Sequence, residues 1–111
     1  MNILFLMKGY GVGGIEIVAA TLASCFVRHG HHVVIATFCP PNALTVTRTD
    51  NRVKIYTIGD YVCSAKNVAT LRYILQENHI QVVINQWGLP LVPCRTLNKA
   101  KRGLDIKTIA V

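Results

Sequence analysis

Four glycines in seven residues, Lys8–Gly14 (KGYGVGG), stand between a short apolar run and an amphipathic stretch. Glycine in a helix or strand interior costs roughly 0.5–1 kcal/mol relative to alanine, so this segment is a loop. The run before it, Asn2–Met7, is continuously apolar and short, as expected of a central strand buried on both faces of a parallel sheet. Behind the loop, Ile15, Val18, Ala19, Leu22 and Phe26 recur at helical spacing, which predicts a helix with that stripe as its apolar face. Gly30 stops the helix, and Arg28 and His29 place basic groups in its last turn, where they suit the dipole. The front of the chain is therefore strand, glycine loop, helix.

The same alternation continues. Val33–Phe38 (VVIATF) reads as a second buried strand, ended by Pro40-Pro41-Asn42. Residues 42–64 give a weaker pattern, in which only Val53–Ile58 (VKIYTI) reads as a strand, short and near a sheet edge. Val68, Leu71, Ile74 and Leu75 mark a helix stopping near Asn78-His79. Ile80–Asn85 (IQVVIN) is a further buried strand, and Pro90–Arg102 a helix with proline in its first turn and Gly103 beyond its end. Ile106–Val111 (IKTIAV) begins another strand. The predicted order β-α-β-β-α-β-α-β implies an α/β, Rossmann-like, three-layer sandwich with a mainly parallel sheet. In such sheets ligands bind beyond the carboxyl ends of the strands. The loops Lys8–Gly14, Phe38–Asn42 and Asn85–Gly88 would lie on that edge.

Composition narrows the partners. At 111 residues the chain holds one domain at most, and a hydrophobic share of 51% excludes disorder. No apolar run approaches the roughly 20 residues of a membrane span, and the first residues lack the basic leader and cleavage site of a signal peptide. Cys25, Cys39, Cys63 and Cys94 form no CxxC pair and no metal-ligand spacing with histidine, which fits free cysteines in a reducing, cytoplasmic setting. Twelve Lys and Arg against five Asp and Glu give a net charge of +7 and favour anionic partners. Arg95, Lys99, Lys101 and Arg102 concentrate that charge on one predicted helix. No recognised nucleic-acid motif accompanies it, so nucleic acid is the weakest of the anionic candidates.

Gly9, Gly11 and Gly14 formally satisfy GxGxxG after a strand and before a helix, a geometry that brings backbone N–H groups to a phosphate. A dinucleotide site also requires an acid about 20 residues on, to accept from a ribose hydroxyl. The second strand ends Thr37-Phe38-Cys39-Pro40, with no acid, and this argues against a dinucleotide cofactor. The loop is also compatible with a turn that binds nothing.

Gly13-Gly14-Ile15-Glu16, a GGxE opening an apolar helix, resembles the N-terminal domain of GT-B-type retaining nucleotide-sugar glycosyltransferases (glycosyltransferase family 4-like). Gln81–Gly88 (QVVINQWG) is similar to a later strand of that family, where a run such as D-V-V-H-x-H is usual; here amides stand at Gln81, Asn85 and Gln86. Amides can bond a sugar hydroxyl but cannot act as acid or base near neutrality. The resemblance spans the chain and implies transfer of a sugar from a nucleotide-sugar to a saccharide or lipid-linked acceptor. It implies Gly13, Gly14, Glu16, Asn85, Gln86 and Trp87 as substrate-binding residues on the acceptor side. It implies no resident cofactor or catalytic metal, the nucleotide-sugar being the donor substrate of the full-length enzyme. Residues 1–111 are then expected to be part of an acceptor-side domain, lacking the C-terminal donor-binding domain and inactive alone. Family relatives act on lipid-linked acceptors, so the basic helix is expected to touch the inner face of the membrane peripherally. The open edge at Ile106–Val111 is expected to make the chain self-associate.

Each residue also has a plainer reading. Glu16 complements the helix dipole as any first-turn acid does. Trp87 suits a core wall as well as a sugar platform. His29, His31, His32 and His79 fall at helix ends away from the predicted cleft, where caps and solvated turns are commoner than metal sites. Two other function classes stay open at this point: a stand-alone nucleotide- or phosphate-binding module using the same loop, and a basic domain that interacts with membrane or nucleic acid.

Overall fold

The computed structural model describes residues 1–9, 14–40, 43–85 and 91–110. Five strands, β1 (Asn2–Met7), β2 (His32–Thr37), β3 (Lys54–Thr57), β4 (Val82–Asn85) and β5 (Lys107–Ala110), form one sheet in the order β3-β2-β1-β4-β5. Every pairing is parallel. Four helices join them: α1 (Gly14–Arg28), α2 (Ala43–Arg48), α3 (Ala65–Glu77) and α4 (Leu91–Ala100). This is the predicted α/β three-layer, Rossmann-like sandwich. The chain's surface, 6019 Å², is close to the ~6,100 Å² expected of a compact domain of 12.2 kDa.

Strand alternation builds two cores. Ile3, Phe5 and Met7 of β1 and Val33 and Ile35 of β2 meet α1 through Ala19, Ala20, Ala23 and Val27. Leu4, Leu6, Val34 and Ala36 face the other way and meet Leu71, Ile74 and Leu75 of α3 and Leu97 and Ala100 of α4. With β1 central and buried from Ile3 to Met7, its uninterrupted apolar sequence is accounted for.

Two local expectations need correction. The apolar stripe predicted on α1 is rotated from the face it buries: Val18 is 52% and Leu22 38% exposed, while Ala19, Ala20 and Ala23 are buried. Alanine is too small to dominate a hydrophobic pattern, yet it is what the sheet accepts beneath this helix. The stretch between β2 and β3 contains a short helix, α2, which the sequence pattern did not mark. The strand predicted at 53–58 is β3, and it lies at the sheet edge as expected. Gly30 and Gly103 adopt positive φ (88° and 75°) just past α1 and α4, as helix stops do.

The histidines lie at the amino edge of the sheet. His29 Nδ1 is 2.8 Å from the carbonyl of Cys25 at the end of α1. His32 Nε2 is 3.1 Å from Asn78 Oδ1, and buried Asn78 also donates to the Ile74 carbonyl and to the Tyr56 hydroxyl. These are structural ties. None of the four cysteines is in a disulfide, and all four are half-buried.

Candidate functional site at the carboxyl edge of the sheet

The strand order reverses between β1 and β4: α1 and α2 follow one half of the sheet onto one face, α3 and α4 the other half onto the opposite face. A parallel sheet opens a crevice at the carboxyl end of such a switch point. Two residues singled out by sequence, Gly14 and Asn85, stand on that edge. Gly14 is the first residue of α1, so the positive end of that helix dipole follows the end of β1 on this edge. Asn85 is the last residue of β4 and pairs in register with Leu6 of β1, one strand spacing of about 4.8 Å away. Glu16 is half-buried in the first turn of α1. Gly13, Gln86 and Trp87 lie outside the described residues.

Asn85 is buried, and its Nδ2 donates to Cys94 Sγ of α4 at 3.5 Å. The amide is thus oriented by the helix that follows its own strand. Its chemistry is that of a hydrogen-bonding group, with no proton to exchange near neutrality.

The neighbouring strands carry the edge further. Beyond β1 and β2 the pairing runs on, Phe38 N donating to the Met7 carbonyl and Cys39 N to that of Lys8. Thr37 Oγ1 donates to the Cys39 carbonyl at 2.7 Å and fixes that turn. Lys8 Nζ stands 5.0 Å from the centroid of the Tyr61 ring, and Tyr61 meets Phe38 edge-to-face at 5.4 Å. Burial holds the Tyr61 phenol above its ordinary range, reinforced by the thiols of Cys39 and Cys94 in their ionised form. Tyr61 therefore keeps its hydroxyl proton at neutral pH. Lys8, Asp60 and Tyr61 are not among the site residues that the sequence marks. The available signal is Gly59-Asp60-Tyr61 directly after a strand, a turn at the edge where ligands bind.

Residues 12–111 match the family model of Glycosyltransferase Family 4. The chain belongs to that family. No curated protein matches the chain. As a family 4 domain of the N-terminal, GT-B type, its parallel sheet places the end of β1, the first residue of α1 and the end of β4 on one edge. Among the described residues, no three His, Cys, Asp or Glu side chains gather where a metal ion could be held. No described helix is long and apolar enough to cross a membrane.

Proposed function

We propose that this family 4 domain forms the acceptor side of a retaining glycosyltransferase, presenting a saccharide or lipid-linked hydroxyl to a nucleotide-sugar held by a second domain. The observation that carries this reading is that the first residue of α1 and Asn85 at the end of β4 both stand on the carboxyl edge at the β1–β4 switch point. The helix N-terminus stabilises negative charge, which suits the diphosphate of a donor brought against this edge. Glu16 and Asn85 supply an acceptor and an amide for sugar hydroxyls. Helix dipoles and cations offset leaving-group charge, so the reaction needs no resident cofactor. β2 ends without the acid that a dinucleotide ribose requires, which ranks the stand-alone nucleotide module second.

The test is titration of the ¹⁵N-labelled 111-residue chain with saccharides and, separately, with UDP-glucose, GDP-mannose and NAD. Saccharides should move the amides of Gly14, Glu16 and Asn85. The nucleotides should show no saturable binding at millimolar concentration, and no sugar should be transferred by this chain alone. Saturable nucleotide-sugar binding, or turnover, would reverse the assignment of the donor to another domain.

A second, compatible reading concerns the membrane. Arg95 and Lys99 on α4 and Arg102 just past it are exposed, and Lys99 and Arg102 join Arg72 around an open groove floored by Ala65, Val68 and Ala69 of α3. This cationic face suits anionic headgroups, each charge contributing ~1 kcal/mol near such a surface. Cosedimentation with anionic but not zwitterionic vesicles is expected, and equal binding to both would refute it.

A further inference from the structure

A second cavity opens on the same edge, between the ends of β2 and β3. Phe38, Cys39, Pro40, Thr57, Asp60 and Tyr61 line a volume of roughly 280 Å³. That is slightly below the roughly 300–1,000 Å³ of pockets for drug-sized ligands. It has room for one ring and none for a nucleotide.

The loop forming its outer wall is built rigidly. Gly59 has φ 142°, a conformation that side chains other than glycine rarely adopt. A Cβ there would lie 2.7 Å from Asn67 Oδ1. Asn67, buried at 3% exposure, donates through Nδ2 to the carbonyls of Asp60 (2.6 Å) and Val62 (2.8 Å). Ser64 caps α3 by accepting from Asn67 N. Loop residues 59–64 are thus latched from below by a single buried amide. The latch grips backbone, so the side chains of Asp60 and Tyr61 are left to project. The Asp60 carboxylate makes no hydrogen bond or ion pair among the described residues, and the Tyr61 hydroxyl keeps its proton.

We propose that this pocket is a sugar subsite, holding a ring of the acceptor other than the one that carries the reacting hydroxyl. The free carboxylate accepts from ring hydroxyls and the protonated phenol beside it donates to them, while the half-buried Tyr61 ring, backed by Phe38, supplies apolar contact for the C–H face of the sugar. Lys8, just past the end of β1, reaches across to the Tyr61 ring of this pocket. The pocket and the β1–β4 crevice lie about two strand spacings, ~10 Å, apart along the edge. A monosaccharide cannot occupy both, so the acceptor class is an oligosaccharide of at least two residues, or a glycan of that length on a lipid. This rests on the acceptor-side reading above and adds length specificity to it.

The experiment titrates the ¹⁵N-labelled chain with the methyl glycosides of glucose, galactose and mannose, and then with disaccharides and trisaccharides of the same sugars. Oligosaccharides should move the amides of Thr57 and of residues 59–62 together with those of Gly14 and Asn85, and should bind at least tenfold more tightly than the best methyl glycoside. Asp60→Asn should abolish that advantage while leaving the shifts that methyl glycosides cause at Gly14 and Asn85, and the melting temperature, unchanged. Tyr61→Phe, which keeps the ring, should reduce it in part. Shifts confined to Gly14 and Asn85, with no gain from chain length, would overturn the subsite and leave the acceptor reading standing. Shifts nowhere on this edge would overturn both.

Discussion

The buried amide beneath the β3–α3 loop gives the sharpest stability test. Asn67→Ala removes two hydrogen bonds, to the carbonyls of Asp60 and Val62. Each such bond contributes about 0.5–1.5 kcal/mol net. Both accepting residues are near solvent, so water can replace much of what is lost, and the full penalty of a buried orphan carbonyl does not apply. Position 67 lies in the first turn of α3, where alanine is the better helix former by up to ~0.7 kcal/mol. The Ser64 cap bonds the backbone of residue 67 and survives. The net loss is therefore about 1–2 kcal/mol, and at roughly 4 °C per kcal/mol for a chain of this size the midpoint should fall by ~4–8 °C. Asn67→Asp should be worse than alanine, because a carboxylate cannot donate and would face two carbonyls. Gly59→Ala should cost about 1–3 kcal/mol through its backbone conformation and the overlap with Asn67. Because part of that cost is the overlap, the double variant Gly59→Ala/Asn67→Ala should fall short of additivity by at least ~0.5 kcal/mol. Chemical denaturation of the four variants measures all of this. A stability of Asn67→Ala within ~0.5 kcal/mol of the parent, or an Asn67→Asp variant as stable as the parent, would refute the latch.

Other expectations follow from single residues. Ala23→Leu should cost about 1–3 kcal/mol by overpacking beneath α1, while Leu22→Lys next to it should change stability by less than ~0.5 kcal/mol; denaturant midpoints distinguish the two. Arg72 Nη1 donates to the carbonyls of Ala100 (3.0 Å) and Arg102 (2.7 Å), so Arg72→Met should cost about 1–2 kcal/mol and speed amide exchange in the last turn of α4. Hydrogen bonds from the Arg52 side chain and backbone hold the Asp50 carboxyl at about 2 in the folded chain, below its unfolded value. A depressed folded value gives stability that is present above about pH 4 and is lost as pH falls toward 2. Asp50→Asn should flatten the urea midpoint over that window, and an unchanged slope would show that the pair contributes nothing.

What the sequence revealed and what it hid have physical reasons. β1, β2 and β4 are short runs of large apolar residues closed by glycine, proline or polar turns, and strands buried on both faces carry that signature. The stops at Gly30 and Gly103 were legible because positive φ selects glycine. α2 was not legible: ALTVTR mixes β-branched residues with no apolar stripe, so packing beside α1 decides its conformation. The rotation of α1 was hidden because its contact face is made of alanines. The position of Gly14 and Glu16 at the start of α1 and of Asn85 at the end of β4 was legible because a motif and a strand end mark them. The Asp60–Tyr61 pocket was not, since it depends on Asn67 reaching back under a loop, a contact made by side-chain geometry that has no sequence period.

The central position of β1 bears on how the chain folds. Its contacts on one side are made early in the sequence, Ile3 pairing with Val33, but on the other side Ile3 pairs with Val82. Closing the longer loop costs only about 0.9 kcal/mol more in chain entropy. Time is the larger matter. Until α3 and α4 pack, Leu4, Leu6, Val34 and Ala36 have no helix over them, so a β1–α1–β2–β3 half would expose one entire face of its sheet. That half cannot be a stable resting point, and the two halves should form in one cooperative step. The seam is sewn at its mouth by Asn2, whose N–H donates to Gln81 Oε1 and whose Nδ2 donates to the His79 carbonyl. His79, the one described non-glycine residue with positive φ (51°), turns the chain there from α3 into β4. The two halves of the sheet are thus joined through a short turn at its amino edge, at the opposite end of the strands from the proposed acceptor surface.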